Sequence, residues 1–346
     1  MAVENRSITG VIKTIRKGLG FIKDPKDEEN DIVIESDKLN FALNGDTVEV
    51  VVISEKEKMG EVMKVIERSR TTFVGTIEER EGKFGVIPDD KKMYVDIMLS
   101  SEEAKKVSNG DKVQVEIGKW TDPKGNPEGK IIRVIGKKGD NNAEMESIVL
   151  EKGFETSFPA LVEKEAEDIG KFEKVITAEE ISKRRDMRDT LTFTIDPFDA
   201  KDFDDAISFK ELPKEKGQER YEIGVHIADV SHYVREGTAL DKEAVKRGCS
   251  IYLVDRTIPM LPEVLSNDVC SLNPHEDKLS FSAIFVINEK AEGLERWFGK
   301  TVMNSNHRFT YETAQESLDS KNGEYFKELD ILNKIAKILQ KEKFSK

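Results

Sequence analysis

The chain opens with short runs of alternating apolar and polar residues, each bounded by glycine or by an Asn-Gly-Asp turn. Thr47–Val52 and Lys112–Ile117 follow such turns and are rich in β-branched residues, the pattern of half-buried strands. Gly10–Ile15 and Gly60–Ile66 predict further strands. The runs also repeat. Gly10-Val11-Ile12 returns as Gly75-Thr76-Ile77, and Gly20-Phe21-Ile22 as Gly85-Val86-Ile87. Asp31-Ile32-Val33-Ile34 returns as Asp96-Ile97-Met98-Leu99, and Asn44-Gly45-Asp46 as Asn109-Gly110-Asp111, all at an offset of 65. After Trp120 the second copy carries four extra residues in the turn-rich stretch TDPKGNPEG, so that Gly60 and Val65 meet Gly129 and Val134. Colinear matches at one offset imply a duplication. About five short strands per copy suit a small closed barrel, which hides its sheet edges.

The pattern changes after Gly136. Residues 136–142 have loop composition, and Ala143–Met187 is rich in Glu and Lys at helical spacing, which predicts connecting helices. Arg184, Arg185 and Arg188 form a basic cluster that fits a solvated helix face, with phosphate contact as the alternative. An apolar run from Leu191 to Ile195 then enters five aspartates in ten residues: Asp196, Asp199, Asp202, Asp204 and Asp205. Ala206–Phe209 leaves as another strand, and Tyr325–Lys343 reads as an amphipathic helix. Two apart in extended chain, Asp202 and Asp204 share a side, while Asp205 faces the other way.

Crowded carboxylates repel unless they share protons or bind a cation, and hard oxygen donors suit Mg²⁺ and Mn²⁺. An EF-hand loop fails here, because no frame supplies Asp-x-Asp-x-Asn/Asp-Gly with Glu at the twelfth position. A solvated acidic turn and a two-metal phosphoryl-transfer site are left. The apolar strands on either side hold the cluster at a sheet end and favour the second. Asp199 is read as a turn residue.

Composition narrows the setting. Of 346 residues 36% are charged and the formal net charge is -13. The first 70 residues carry -2, the next 70 are neutral, and the rest carry -11, so total charge excludes little, although it argues against a strong electrostatic grip on nucleic acid by this chain alone. Length predicts two to three domains. No apolar run is long enough to span a membrane, and the start MAVENRSITG lacks the features of a signal peptide. Cys249 and Cys270 sit in no metal or disulfide pattern, and His226, His232, His275 and His307 sit at no metal spacing; all are read as structural or surface residues. The expected location is the cytoplasm.

Two resemblances sharpen these readings. Lys17-Gly18-Leu19-Gly20-Phe21-Ile22 followed by Ile32-Val33-Ile34 resembles the paired RNA-contacting strands of cold-shock domains, of the OB-fold class. There exposed aromatics stack on bases, at about 1–3 kcal/mol per base. The candidates are Lys17 and Phe21 in the first copy and Phe84 and Tyr94 in the second; the alternative keeps Phe21 and Phe84 as core residues. The pattern Asp196-x5-Asp202-x-Asp204-Asp205 resembles the signature of the ribonuclease II/ribonuclease R family, the RNB superfamily. Val225-His226-Ile227-Ala228-Asp229-Val230, Tyr252-Leu253-Val254-Asp255-Arg256, Ile258–Pro262 and Cys270–Pro274 look like the same family.

The resemblance implies a multidomain β and α/β protein: OB-fold (cold-shock) barrels over 1–69 and 70–136, a helical linker over 137–190, and a truncated mixed α/β RNB catalytic domain over 191–346. It implies a 3'-to-5' hydrolytic exoribonuclease releasing nucleoside 5'-monophosphates. Asp196, Asp202, Asp204 and Asp205 would hold two Mg²⁺ ions, or Mn²⁺, with Asp204 the most critical. Tyr252 would contact terminal nucleotides and Tyr311 would stack near the 3' end. Single-stranded RNA is the implied partner of a monomer without membrane contacts; ribosome or degradation-machinery contacts are left unspecified. Family members continue past the equivalent of residue 346, adding an arginine at the scissile phosphate and an S1 domain. Weak or absent activity is therefore expected, with an exposed apolar face on the last helix. The competing reading is a non-catalytic RNA-binding module, and the acid cluster alone also admits a DNA nuclease.

Overall fold

The computed structural model describes residues 6–16 and 18–345, so Lys17 lies outside the described residues. Two compact units divide at residues 156 and 157. In the first, β1 (Ser7–Val11), β2 (Lys13–Thr14), β3 (Gly20–Asp24), β4 (Asp27–Ile34), β5 (Thr47–Ser54) and β6 (Met59–Glu67) form one curled sheet in the order β1-β5-β6-β4-β3-β2. The expected single strand over Gly10–Ile15 is broken at Ile12. That residue is fully buried; its N–H donates to Asp46 O at 2.9 Å, one step beyond the β1–β5 pairs, and its carbonyl accepts from Gly45 N–H at 2.8 Å. The two outer strands of the sheet are thus the two halves of one bent segment, and Ile8, Ile22, Ile32, Ile34, Val48, Val50 and Val62 fill the interior.

The second copy is a closed barrel of β7 (Thr72–Arg80), β8 (Lys83–Pro88), β9 (Ile97–Leu99), β10 (Asp111–Ile117) and β11 (Glu128–Lys137). A short helix α1 (Ser101–Ala104) follows β9. The repeated Asn-Gly-Asp turn does the same work twice. Gly45 and Gly110 take φ of +89° and +81°, where a side chain is strained. The next aspartate closes the loop: Asp46 accepts from Leu43 N–H at 2.8 Å, and Asp111 from Ser108 N–H at 2.7 Å. Of the stretch read as connecting helices, α2 (Asn141–Glu151) packs with the second barrel, whereas α3 (Ala160–Phe172) and α4 (Ala178–Ser182) lie in the second unit.

The second unit is built on a mixed sheet. Its strands are β12 (Arg185–Asp186), β13 (Thr192–Asp196), β14 (Asp205–Glu215), β15 (Gln218–Ala228), β18 (Asp277–Asn288), β19 (Gly293–Asn304) and β20 (His307–Thr310), in the order β12-β19-β18-β15-β14-β13-β20. The remaining elements are α5 (Val230–Tyr233), α6 (Ala239–Arg247), a hairpin of β16 (Ile251–Tyr252) with β17 (Thr257–Ile258), α7 (Tyr311–Ser320) and α8 (Phe326–Phe344).

Strand alternation sorts the two faces. Ala206, Ala228 and Ile284 join the large core with Val162, Leu240 and Leu265, while Phe209, Tyr221 and Ile223 meet Ile335 of α8. That helix buries Leu329 and Ile335 and leaves Leu339 and Phe344 exposed. Arg184, Arg185 and Arg188 are not a solvated helix face. They lie where α4 runs into β12, and the guanidinium of Arg184 is buried between Glu180 and Asp229, at 2.7 Å from each. Among the described residues no helix is long and apolar enough to cross a membrane.

Candidate active site

The aspartate cluster lies where β13 and β14 part. β13 pairs antiparallel with β14 only at Thr192↔Ser208 and Phe193↔Ile207, but stays parallel to β20 as far as Asp196↔Thr310. Pro197, which has no N–H to continue a ladder, starts the loop that fills the gap. The loop returns through Phe203, which is buried and held on both sides. Its N–H donates to Ser271 Oγ at 3.0 Å, and its carbonyl accepts from Leu272 N–H at 2.8 Å. Burial of Phe203 turns its neighbours Asp202 and Asp204 outward together. The carbonyl of Asp204 accepts from Ala228 N–H at 3.0 Å, and Asp205 opens β14 opposite Ile227.

The carboxylates feel one another. Burial pushes Asp196 above the usual carboxylate range; the Thr194 hydroxyl and the Arg308 charge pull it down, and the charges of Asp205 and Asp202 push it up. Asp204 is open to solvent on its outer side; partial desolvation is the largest cause that lifts it, followed by the charges of Asp202, Asp205 and Asp196. Asp196 Oδ2 is buried without a hydrogen-bond partner. A divalent cation fits this donor set: the ligands are hard carboxylates, one buried oxygen lacks a donor, and the mutual repulsion is of the kind a cation relieves. The side chains are not drawn tightly together, for among the described residues no group of three His, Cys, Asp or Glu converges as a metal centre.

Two aromatic rings flank the acids. Tyr252, on the β16–β17 hairpin and 68% exposed, donates its hydroxyl to Asp202 Oδ2 at 3.3 Å. Tyr311, 58% exposed, is the first residue of α7, directly after the Thr310 that pairs with Asp196 and caps the helix. The fold therefore brings Asp196, Asp202, Asp204, Asp205, Tyr252 and Tyr311 to one end of one sheet.

The barrel candidates fare differently. Phe21 is half-buried on β3, and Phe84 leans on the second barrel's core. Tyr94 is not an open stacking platform: it packs against both barrel cores and its hydroxyl donates to Ala42 O at 2.9 Å, which makes it a seam residue. Beside this seam Phe41 meets Trp120 edge-on at 5.3 Å, a pair that the linear pattern does not announce.

Sequence reasoning also passes over Arg308. Its Nη2 donates to the carbonyls of Pro197, Phe198 and Ala200 at 3.1, 2.8 and 3.2 Å, and its guanidinium carbon lies 4.8 Å from the Phe203 ring centroid. The available signal is a single basic residue in the short strand before Tyr311.

Comparison with known proteins agrees with this architecture. The chain matches the RNB domain over residues 184–346, the cold shock domain over 86–159 and the ribonuclease B OB domain over 10–67. It is 37% identical over 343 residues to ribonuclease R of Thermotoga maritima, covering 96% of this chain and 47% of that protein. It is 36% identical over 308 residues to ribonuclease R of Aquifex aeolicus, covering 89% and 42%. With the human exosome complex exonuclease RRP44 it shares 34% over 301 residues, 85% of this chain and 31% of that one. The chain thus spans about half the length of the bacterial relatives.

Among solved structures, Mycoplasma genitalium RNase R in complex with ribose methylated single-stranded RNA has the same fold. Its TM-score is 0.85 at 24% identity, over 97% of this chain and 53% of that one. Yeast Ssd1, a pseudonuclease, follows at 0.67 and 19%, over 96% and 47%. Two OB-type barrels, a mixed sheet with four acids at its end, and these matches make the chain a ribonuclease R-like region with two cold-shock/OB domains and an RNB domain.

Proposed function

We propose that the chain belongs to a 3'-to-5' hydrolytic exoribonuclease acting on single-stranded RNA, with divalent cations held by Asp196, Asp202, Asp204 and Asp205. The observation that carries this reading is the placing of four carboxylates, whose charges raise Asp196 and Asp204, beside two exposed tyrosines at one sheet end. Bound Mg²⁺ or Mn²⁺ would supply an activated water and positive charge for the leaving oxygen.

The chain's own residues supply the rest. Asp202 is oriented by the Tyr252 hydroxyl. Tyr311, held at the start of α7 by the Thr310–Thr313 capping box, offers its ring as a stacking surface for a base near the 3' end. The buried backbone of Phe203 keeps Asp202 and Asp204 side by side. RNA as ligand is supported by the ribonuclease names of the relatives and by the single-stranded RNA bound in the Mycoplasma genitalium structure.

A second reading, a non-catalytic RNA-binding module, is favoured by one observation: the carboxylates of the described residues do not close on a metal-sized centre. The two separate on 5'-labelled single-stranded RNA incubated with Mg²⁺ or with EDTA, alongside Asp204→Asn. Metal-dependent conversion to a short end product, lost in the variant, is the expected result for the nuclease. Retarded but intact RNA in every lane gives the binding module.

A further inference from the structure

We propose that Arg308 is a positioning residue for the acidic loop: from β20 it fixes the chain between Asp196 and Asp202 in the shape that presents both carboxylates, without itself touching the reacting atoms. The consequence for cation binding rests on the proposed function above; the consequence for loop order does not.

The returning end of the loop is held by Ser271 Oγ on Lys201 O at 3.4 Å and by Tyr252 on Asp202, whereas its outer part has the turn bond from Ala200 N–H to Pro197 O at 3.1 Å. Residues 197–199 are exposed, and the ring of Phe198 is 80% exposed, so apolar burial does not set their path. Three of the loop's carbonyl oxygens instead turn toward one nitrogen, Arg308 Nη2, at 3.1 Å for Pro197, 2.8 Å for Phe198 and 3.2 Å for Ala200. Gathering three carbonyl dipoles at one point is unfavourable unless a shared cationic donor sits there. The same guanidinium covers the ring of Phe203, whose backbone Ser271 and Leu272 already hold. Arg308 is itself held in register, since it pairs with Thr194 two residues before Asp196. One side chain therefore ties the outgoing end of β13 to the returning end of the loop. Lysine keeps the charge but has neither the fork nor the flat face that lies over Phe203.

Charge and geometry predict opposite signs, which makes the idea testable. Removing a cation beside four carboxylates would by itself tighten the binding of a metal ion. Releasing the loop would weaken it. The experiment uses the full 346-residue chain as wild type, Arg308→Lys, Arg308→Met and Asp204→Asn. Backbone hydrogen–deuterium exchange is followed in the peptide covering residues 197–203, and Mn²⁺ binding by electron paramagnetic resonance of the free ion.

In both Arg308 variants exchange at 197–203 should quicken by about tenfold while β18 and β19 keep their protection, and Mn²⁺ affinity should fall by about 10-fold or more. The milder Arg308→Lys decides the matter if Arg308→Met loses protection throughout the sheet. Unchanged exchange at 197–203, or Mn²⁺ binding that is unchanged or tighter in the Arg308 variants, overturns the proposal. If the wild-type chain shows no Mn²⁺ site that Asp204→Asn weakens, the cation reading fails, and the exchange arm alone then decides for or against Arg308.

Discussion

Replacing Asp204 by Asn should make the metal-free protein more stable and the metal-loaded protein relatively less so. Asp202, Asp205 and Asp196 all act on Asp204, and no cationic side chain is among the groups that lower it. Carboxylates two residues apart on one side of extended chain are roughly 7 Å apart, where Coulomb repulsion in a water-like medium is about 0.6 kcal/mol. Salt at about 0.15 M screens part of this. Three neighbours and the partial desolvation together give a gain of about 1–2 kcal/mol for Asp204→Asn, because Asn keeps the shape and removes the charge.

In a unit of this size each kcal/mol moves the melting temperature by about 2–4 °C, so the variant should melt roughly 2–8 °C higher in EDTA. A divalent ion at a hundred times its Kd stabilises the wild type by about 2.7 kcal/mol, a gain the variant should largely lack. Calorimetry in EDTA and in Mg²⁺ measures both terms. The sign with pH also follows: a carboxyl raised in the folded state costs stability above its folded pKa, and the cost fades as pH falls through it, so the gap between the proteins should close on acidification. Destabilisation by Asp204→Asn in EDTA, or an equal Mg²⁺ shift in both proteins, would mean that the Asp204 charge is neither a cost to the metal-free fold nor part of a cation site.

Other consequences can be measured separately. Arg184→Ala strips a buried guanidinium from Asp229 and Glu180 and should cost about 3–5 kcal/mol in urea unfolding of the second unit, because the buried Asp229 carboxylate then keeps the half-exposed Lys300, at 3.2 Å, and the Ser231 hydroxyl, at 2.9 Å. His226 is fully buried, its ring held by Ser282 Oγ at 2.6 Å, and burial pushes it down to about 4. The unfolded chain therefore takes up that proton first as pH falls from about 6.5 to 4. Acidification should cost about 3 kcal/mol through this residue, and His226→Gln should remove that component from the pH–stability profile. Gly129→Ala would set a Cβ 2.4 Å from Ile97 Cγ2 and 2.7 Å from Val115 Cγ2, and Gly60→Ala one 2.7 Å from Val50 Cγ1. Each should cost about 1–3 kcal/mol by thermal melting, with the larger loss at Gly129.

What the linear pattern reveals, and what it hides, follows from the distance over which each feature is encoded. The barrels are legible because their determinants are local and stated twice. Gly60 and Gly129 occupy one place in the repeat and do one job, letting a strand pass close over the core, and the two Asn-Gly-Asp turns close the same loop with the same carboxylate. The grouping of Asp202 with Asp204 is legible for a similar reason: alternation needs only the apolar residue between them, and Phe203 goes inward.

Arg308 is more than 100 residues from the carbonyls it gathers, and Ser271 is 68 residues from Phe203, so no local period marks either. Tyr94 misleads for the opposite reason. Its neighbours announce an aromatic on a barrel, but whether it faces solvent depends on Ala42, 52 residues earlier in the other copy. Arg184 shows the same limit, since a basic run at helical spacing looks solvated until the strands carrying Ser280 and Thr301 close over it. The acids of the candidate site could therefore be found one strand at a time. The residues that hold them in place become visible only when β13, β20 and the Ser271 loop are set side by side.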